Sequence, residues 1–203
     1  TRASCSMVQN VKRWAIGGAP TKAQLDEVAA LLRSGGIVLM PTDTIYGLHG
    51  VEQSAKKIAE IKGRSEEKQF VMLSASIAQL RSLGVDVPST LENIWPAPLT
   101  AVMRRGDSTI AARIPNLDWL RDLVARTGPL ISTSANRSGE PAISNPANLP
   151  QQLLARIDGL IDAGHLEGKA SAIVDFTGTE PRFIRDGEPG FTQFLWKTLM
   201  KKL

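Results

Sequence analysis

GGIVLMPTDTIYGLHG, residues 35–50, holds the stretch that decides the fold. Ile37 to Met40 is apolar at every position, the mark of a strand buried on both faces, as in parallel or mixed sheets covered by helices on each side. Gly35-Gly36 ends whatever precedes the strand, and Pro41 stops it. Directly beyond come Thr42 and Thr44 around Asp43, then Tyr46, Gly47 and His49. Small hydroxyls and a phenol at a strand end suit a ligand crevice, because crevices of open α/β sheets form there.

Working outward, Thr21 to Ser34 reads as a helix, with Thr21 and Gln24 forming a capping box and Leu25, Val28, Ala29 and Leu32 at helical spacing. Ser54 to Lys62, closed by Gly63, reads as a second helix, Phe70 to Leu73 as a strand, and Ser76 to Leu83 as a short helix with a box from Ser76 and Gln79. Leu99 to Met103 and Ile110 to Ile114 read as strands, Leu117 to Thr127 as a helix, and Leu130 to Thr133 as a strand. Asn145 caps a helix expected to begin at Pro146. Gly159 to Ile161, Ala172 to Val174 and Phe183 to Arg185 read as strands before an amphipathic tail helix with lysines in its last turn. Strands and helices alternate without repeats, which predicts an α/β fold of one domain around a twisted, mixed sheet flanked by helices.

The 203 residues fit one domain with a sizeable core. Hydrophobic content of 42% with 22% charge is that of a folded soluble chain rather than a disordered one. No apolar run reaches the roughly 20 residues of a membrane helix, and no signal-peptide pattern opens the chain. One cysteine, Cys5, permits no internal disulfide, which favours a cytoplasmic setting. The chain starts at Thr1, with Met7 available as a start; residues 1–12 read as an N-terminal extension or remnant, and 13–203 as the domain. The net charge of +4 is spread along the chain and by itself marks a mildly basic surface.

Four polar stretches adjoin expected strands: PTDTIYG (41–47), KGRSEEK (62–68), STSANRSG (132–139) and FIRDGEPG (183–190). Lys62, Arg64, Lys68 and Arg185 bring positive charge suited to a polyanion such as a nucleotide triphosphate. The hydroxyls and N–H groups of STSAN suit a phosphate cradle. Taken singly, KGRSEEK reads as a solvated helix end and STSANRSG as a turn rich in turn-forming residues. No Walker loop, nucleophile elbow or metal-binding histidine pair occurs. His49 reads as a loop residue with a local hydrogen bond, and Asp43 as a carboxylate that orients the threonines or the loop backbone.

Together these stretches resemble the YrdC/TsaC family, the threonylcarbamoyl-AMP synthases. Its motifs PT[DE]TVYGLG, KxRxxxxP, WPGPLT, AVRxP, STSANxSG, STxxD and [IL]RxG correspond here, in order, to PTDTIYGLHG, IKGRSEEKQF, WPAPLTAVM, AARIP, STSANRSGEPA, SAIVD and FIRDGE. The departures are His49 for a glycine, Gln69 for a proline, Leu73 where some members have a histidine, and Ala172 for a threonine. The resemblance covers about Thr21 to Gly190 and implies the short, single-domain form with an open concave face.

It implies an enzyme, a nucleotidyltransferase, that joins L-threonine, bicarbonate and ATP with Mg²⁺ into threonylcarbamoyl-AMP, releasing pyrophosphate. A threonylcarbamoyl transferase complex then places the group on an adenosine of tRNAs that read ANN codons, forming t6A. Carried over by position, Thr44, Arg113, Ser132, Ser171 and Tyr46 fall to the threonine site. Lys62, Arg64, Lys68, Thr109, Ser134, Asn136 and Arg185 fall to ATP. No protein nucleophile or metal cluster is implied. The rival readings are a paralogue transferring a carbamoyl group to another substrate, and a module that binds tRNA or double-stranded RNA. The intact Thr44 and Arg113 weigh against the first. The scarcity of stacking aromatics around Tyr46, the only tyrosine, weighs against the second.

Overall fold

A computed structural model describes residues 11–63, 70–136 and 141–200. In chain order the elements are β1 (Lys12–Ala15), α1 (Lys22–Arg33), β2 (Val38–Met40), β3 (Gly47–Gly50), α2 (Ala55–Lys62), β4 (Val71–Leu73), α3 (Ile77–Ser82), β5 (Leu99–Arg105), β6 (Ser108–Arg113), α4 (Asp118–Thr127), β7 (Leu130–Ser134), α5 (Gln151–Leu154), β8 (Gly159–Asp162), β9 (Ala172–Asp175), β10 (Arg182–Arg185) and α6 (Pro189–Leu199). Among the described residues the strands form one ten-stranded sheet in the order β1-β8-β2-β3-β7-β4-β6-β5-β9-β10. It is mixed: β8 runs parallel to both β1 and β2, whereas β3 is antiparallel to both β2 and β7. The fold class read from the sequence is therefore the one observed.

Local signals account for most boundaries. The capping box at Thr21 forms in both directions, the Thr21 hydroxyl accepting from Gln24 N and the Gln24 side chain accepting from Thr21 N. Gly63 ends α2 in the left-handed region, at φ 58°. At α3 half the expected box forms: Ser76 accepts from Gln79 N, but the Gln79 side chain accepts from Ala75 N and the Ser74 hydroxyl.

Three expectations are corrected. The helix placed at Pro146 is a single 3₁₀ turn, Pro146–Asn148, capped by Asn145; a separate four-residue α5 follows. Pro150 separates them, since proline lacks a donor and disfavours helix in the residue before it. GLHG, read as loop, is the strand β3, and KRWA, not read as an element, is the edge strand β1, which starts at Lys12 within the presumed extension.

The sheet buries three apolar clusters. On one face α1 and α4 pack Leu25, Val28, Leu32, Leu120 and Leu123 with Val38, Met40, Leu73, Leu130 and Ile161. Alternate residues of these strands, Leu39, Ile131 and Leu160, pack with Leu48 of β3 and Ile58 of α2 in a second cluster. Beyond the middle of the sheet, α3 and α6 cover Ala101, Met103, Ile110, Ala112 and Val174. The other side of those last strands faces a cleft. Among the described residues, no helix is long and apolar enough to cross a membrane.

Candidate functional site

A row of directly paired residues, His49, Ser132, Val71, Ala111 and Val102, runs across β3, β7, β4, β6 and β5. Paired residues in neighbouring strands share a face, and from Ser132 onward this row lines a cavity of about 570 Å³. Its walls come from the turn after β2, the end of β7, the segment entering β9, and β10, so three of the four polar stretches converge as expected.

Thr42 builds the turn. Its hydroxyl accepts from Thr44 N at 3.1 Å and Ile45 N at 3.2 Å and donates to Ile45 O at 2.8 Å. Its one proton thus committed, it accepts from the Thr44 hydroxyl 2.9 Å away. Thr44 in turn accepts from Arg113 Nη1 at 2.9 Å. Arg113 Nη2 lies 3.1 Å from Asp43 Oδ1, an ion contact outside hydrogen-bond geometry, while Asp43 Oδ2 accepts from Asn116 N at 2.9 Å. Asp43 therefore orients the arginine and the backbone after β6, not the threonines. Arg113 is only 5% exposed, and its Nε has no hydrogen-bond partner. Burial holds this guanidinium below its ordinary value; Asp43 opposes the shift, and the like charge of Arg185 adds to it. One carboxylate does not neutralise two arginines, so this end of the cleft favours an anion.

Ser171 and Thr100 pair through their hydroxyls at 2.9 Å, and Arg185 clamps Ser171 O from Nε at 3.1 Å and Nη2 at 2.8 Å. At the other end, Lys62 is buried. Its Nζ donates to Ser134 O at 2.7 Å and Asn136 Oδ1 at 2.6 Å, and also to Asn136 O, with Ser134 Oγ at 3.4 Å. The Ser134 hydroxyl donates to Asn136 Oδ1, and Ala135 is tied through N to Tyr46 O at 3.1 Å. The start of the serine loop is thus held by the protein's own groups.

The structure brings Thr44, Arg113, Ser132, Ser171 and Tyr46 around one cavity with Ser134, Asn136 and Arg185, and Lys62 lies immediately behind the serine loop. Thr109 shares the cavity face of β6 with Ala111 and Arg113 but sits at its exposed outer end, opposite Arg104 and outside the lining. Arg64, Lys68, Gln69 and residues 137–140 of the serine loop lie outside the described residues. Tyr46 lines the cavity, but its phenol turns away, donating to Gly164 O and accepting from Ala163 N, both at 2.9 Å. Sequence reading missed Thr42 as the organiser of the turn and Thr100 as the partner of Ser171.

His49 is corrected: it is a strand residue, fully buried, and neither ring nitrogen has a partner in hydrogen-bond geometry. The carbonyls of Gly47 and Val38 lie near enough to favour its charge a little, yet burial, then Arg113, push its pKa down to about 3. The unfolded chain takes a proton there below about pH 6.5, and the native chain does not. Stability from this site is therefore lost as pH falls from 6.5 toward 3, by about 2 kcal/mol at pH 5. Denaturant titrations of wild type and His49→Leu at pH 7 and 5 check this; the variant is expected to lack that share of the acid slope. Equal slopes count against a buried neutral ring.

Fold and site define an α/β protein whose cleft offers hydroxyls and a buried arginine at one end and a cation-held serine loop at the other. The chain belongs to the Sua5/YciO/YrdC family, described as "Telomere recombination", which it matches over residues 30–187. It is 30% identical over 178 residues to the threonylcarbamoyl-AMP synthase of Pyrococcus abyssi, covering 78% of this chain and 52% of that protein. It is 29% identical over 181 residues to that of Pseudomonas syringae, covering 81% of this chain and 97% of the relative. The Bacillus subtilis relative, 30% identical, is covered over 53% of its length, so the chain spans about half of the longer relatives. P. abyssi Sua5 complexed with L-threonine superposes at TM-score 0.78 with 27% identity, over 87% of this chain and 57% of that one. E. coli YciO, at TM-score 0.78 and 21% identity over 88% and 96% of the two chains, shares the fold.

Proposed function

We propose that the chain is an L-threonylcarbamoyladenylate synthase, making threonylcarbamoyl-AMP and pyrophosphate from L-threonine, bicarbonate and ATP for t6A in tRNA. The observation that carries the reading is Arg113: buried, shared between Asp43 and Thr44, and retaining an unpartnered Nε at a hydroxyl-lined cavity end. An amino-acid carboxylate supplies the missing anion. Thr44 and Ser132 then stand beside the ligand's own hydroxyl. The relatives' names and the threonine-bound Sua5 support the same reading.

In this reaction the threonine amine attacks the carbon of bicarbonate and water leaves, giving an N-carboxylate. One of its oxygens then attacks the α-phosphorus of ATP, and the bond to the bridging oxygen breaks to release pyrophosphate. The protein's contribution is placement and charge: the two substrates are held in one cleft, and cations offset the phosphates. Arg185, Ser134 and Asn136, with Arg64 and Lys68, take the nucleotide. Mg²⁺ enters as part of the nucleotide substrate. The product would pass to a threonylcarbamoyl transferase complex in the cytoplasm.

Pyrophosphate release dependent on threonine tests this reading, and amino-acid choice sharpens the test. Valine has nearly the shape of threonine without the hydroxyl, so it leaves buried polar groups unpaired, whereas serine loses only a methyl. Valine is expected to be poorer than threonine in kcat/KM by about a hundredfold or more, and serine by less. Comparable turnover with valine would remove threonine recognition.

A further inference from the structure

Residues 163–171, which join β8 to β9, run back across the Thr42–Tyr46 turn. At the start, Ala163 N and Gly164 O are both bonded to the Tyr46 phenol at 2.9 Å. Leu166 N donates to Ser144 O at 2.8 Å. At the end, Ser171 is fixed by Thr100 and Arg185, and Ala172 N donates to Pro98 O at 3.0 Å. Between these anchors Gly168 lies directly on the backbone of Thr44. An ideal Cβ there would stand 1.8 Å from Thr44 O and 2.9 Å from its carbonyl carbon.

We propose that Gly168 is a positioning residue for the amino-acid pocket: its bare backbone lets this segment clasp the Thr44 turn, setting the Thr44 and Ser171 hydroxyls in one cavity wall. This rests on the reading of that wall as the threonine site. Glycine is required here by close approach, not by conformational freedom, because Gly168 is absent from the positive-φ glycines. The obstacle is backbone, which cannot swing aside as a side chain does. To open 1.8 Å to even 3.0 Å, the segment and the turn must part by more than 1 Å. A displacement of that size in groups that position a substrate costs about a hundredfold. ATP falls to β7 and β10, which meet the clasp only at its ends, through Arg185 on Ser171 O and through Ala135 N on Tyr46 O, so nucleotide binding is expected to suffer less. The same clasp explains the Tyr46 phenol, which points at the segment instead of the cavity.

The test uses the full chain with Gly168→Ala and, in case that variant does not fold, Tyr46→Phe, which removes the anchor and keeps the ring. Gly168→Ala is expected to lower kcat/KM for threonine about a hundredfold, mainly through KM, with a clearly smaller loss of ATP affinity by calorimetry. Tyr46→Phe is expected to act in the same direction by a smaller factor. Amide hydrogen exchange of the ligand-free protein supplies a readout independent of activity: exchange should quicken together in residues 42–46 and 163–171 and stay unchanged in β5. Unchanged threonine KM in both variants, equal losses for threonine and ATP, or exchange that quickens in 163–171 alone would overturn the proposal. If wild-type protein releases no pyrophosphate with threonine, the proposed function fails, and the exchange pattern still decides whether the clasp exists.

Discussion

Arg113→Lys is expected to fold and to lose threonine-dependent turnover. Lysine keeps one positive charge to face Asp43. It lacks the rigid fork that serves Asp43 from Nη2 and Thr44 from Nη1 at the same time. Each lost charge-assisted hydrogen bond is worth about 1.5–3 kcal/mol, so threonine affinity should fall roughly 10- to 150-fold, with ATP affinity little changed. Calorimetric titration of each substrate separately checks this. Arg113→Ala is a different experiment: it leaves Asp43 buried without its partner, at a cost of about 3–5 kcal/mol, and confounds binding with unfolding. A lysine variant with wild-type threonine affinity would remove Arg113 from the carboxylate site.

Lys62→Met has the second large effect, and on the other substrate. The Lys62 ammonium lies among the carbonyls of Ser134 and Asn136 and the Asn136 side-chain oxygen. Methionine fills similar volume but removes the ammonium from these oxygens, leaving Ser134 O with Asn136 N and Asn136 Oδ1 with the Ser134 hydroxyl, at a cost of about 2 kcal/mol that lowers the melting midpoint by roughly 4–8 °C. The serine loop then loses this support, and ATP affinity is expected to fall by more than about tenfold, since the ordering must be supplied on binding. Thermal unfolding and ATP calorimetry read both effects. Unchanged melting with weakened ATP binding would instead make Lys62 a phosphate ligand with no part in holding the loop.

What was legible in the sequence had local causes. The all-apolar Ile37–Met40, the Thr21 box and the Gly63 stop each carry their information within a few residues, and the structure places them accordingly. The polar stretches at strand ends pointed to Thr44, Ser132 and Arg185, and the resemblance added Arg113 and Ser171; all five line one cavity. The misreadings share a different origin. GLHG becomes a strand because β2 and β7 flank it, and β7 lies some eighty residues away in sequence. That pairing also buries His49. Lys62 sits in a charge-rich stretch that looks solvated, yet acceptors 72 and 74 residues onward draw it inside. Nothing near Gly168 announces that the carbonyl of Thr44 lies against it. Thr109, which the resemblance gives to the nucleotide, lies at the exposed end of β6.

The most direct measurement is mass spectrometry of the products after the chain is mixed with ATP, Mg²⁺, L-threonine and isotopically labelled bicarbonate. The predicted result is threonylcarbamoyl-AMP carrying the label, formed together with pyrophosphate and absent when any one substrate is omitted. Pyrophosphate or AMP appearing without that labelled adduct, or an adduct formed equally well without threonine, would contradict the assignment.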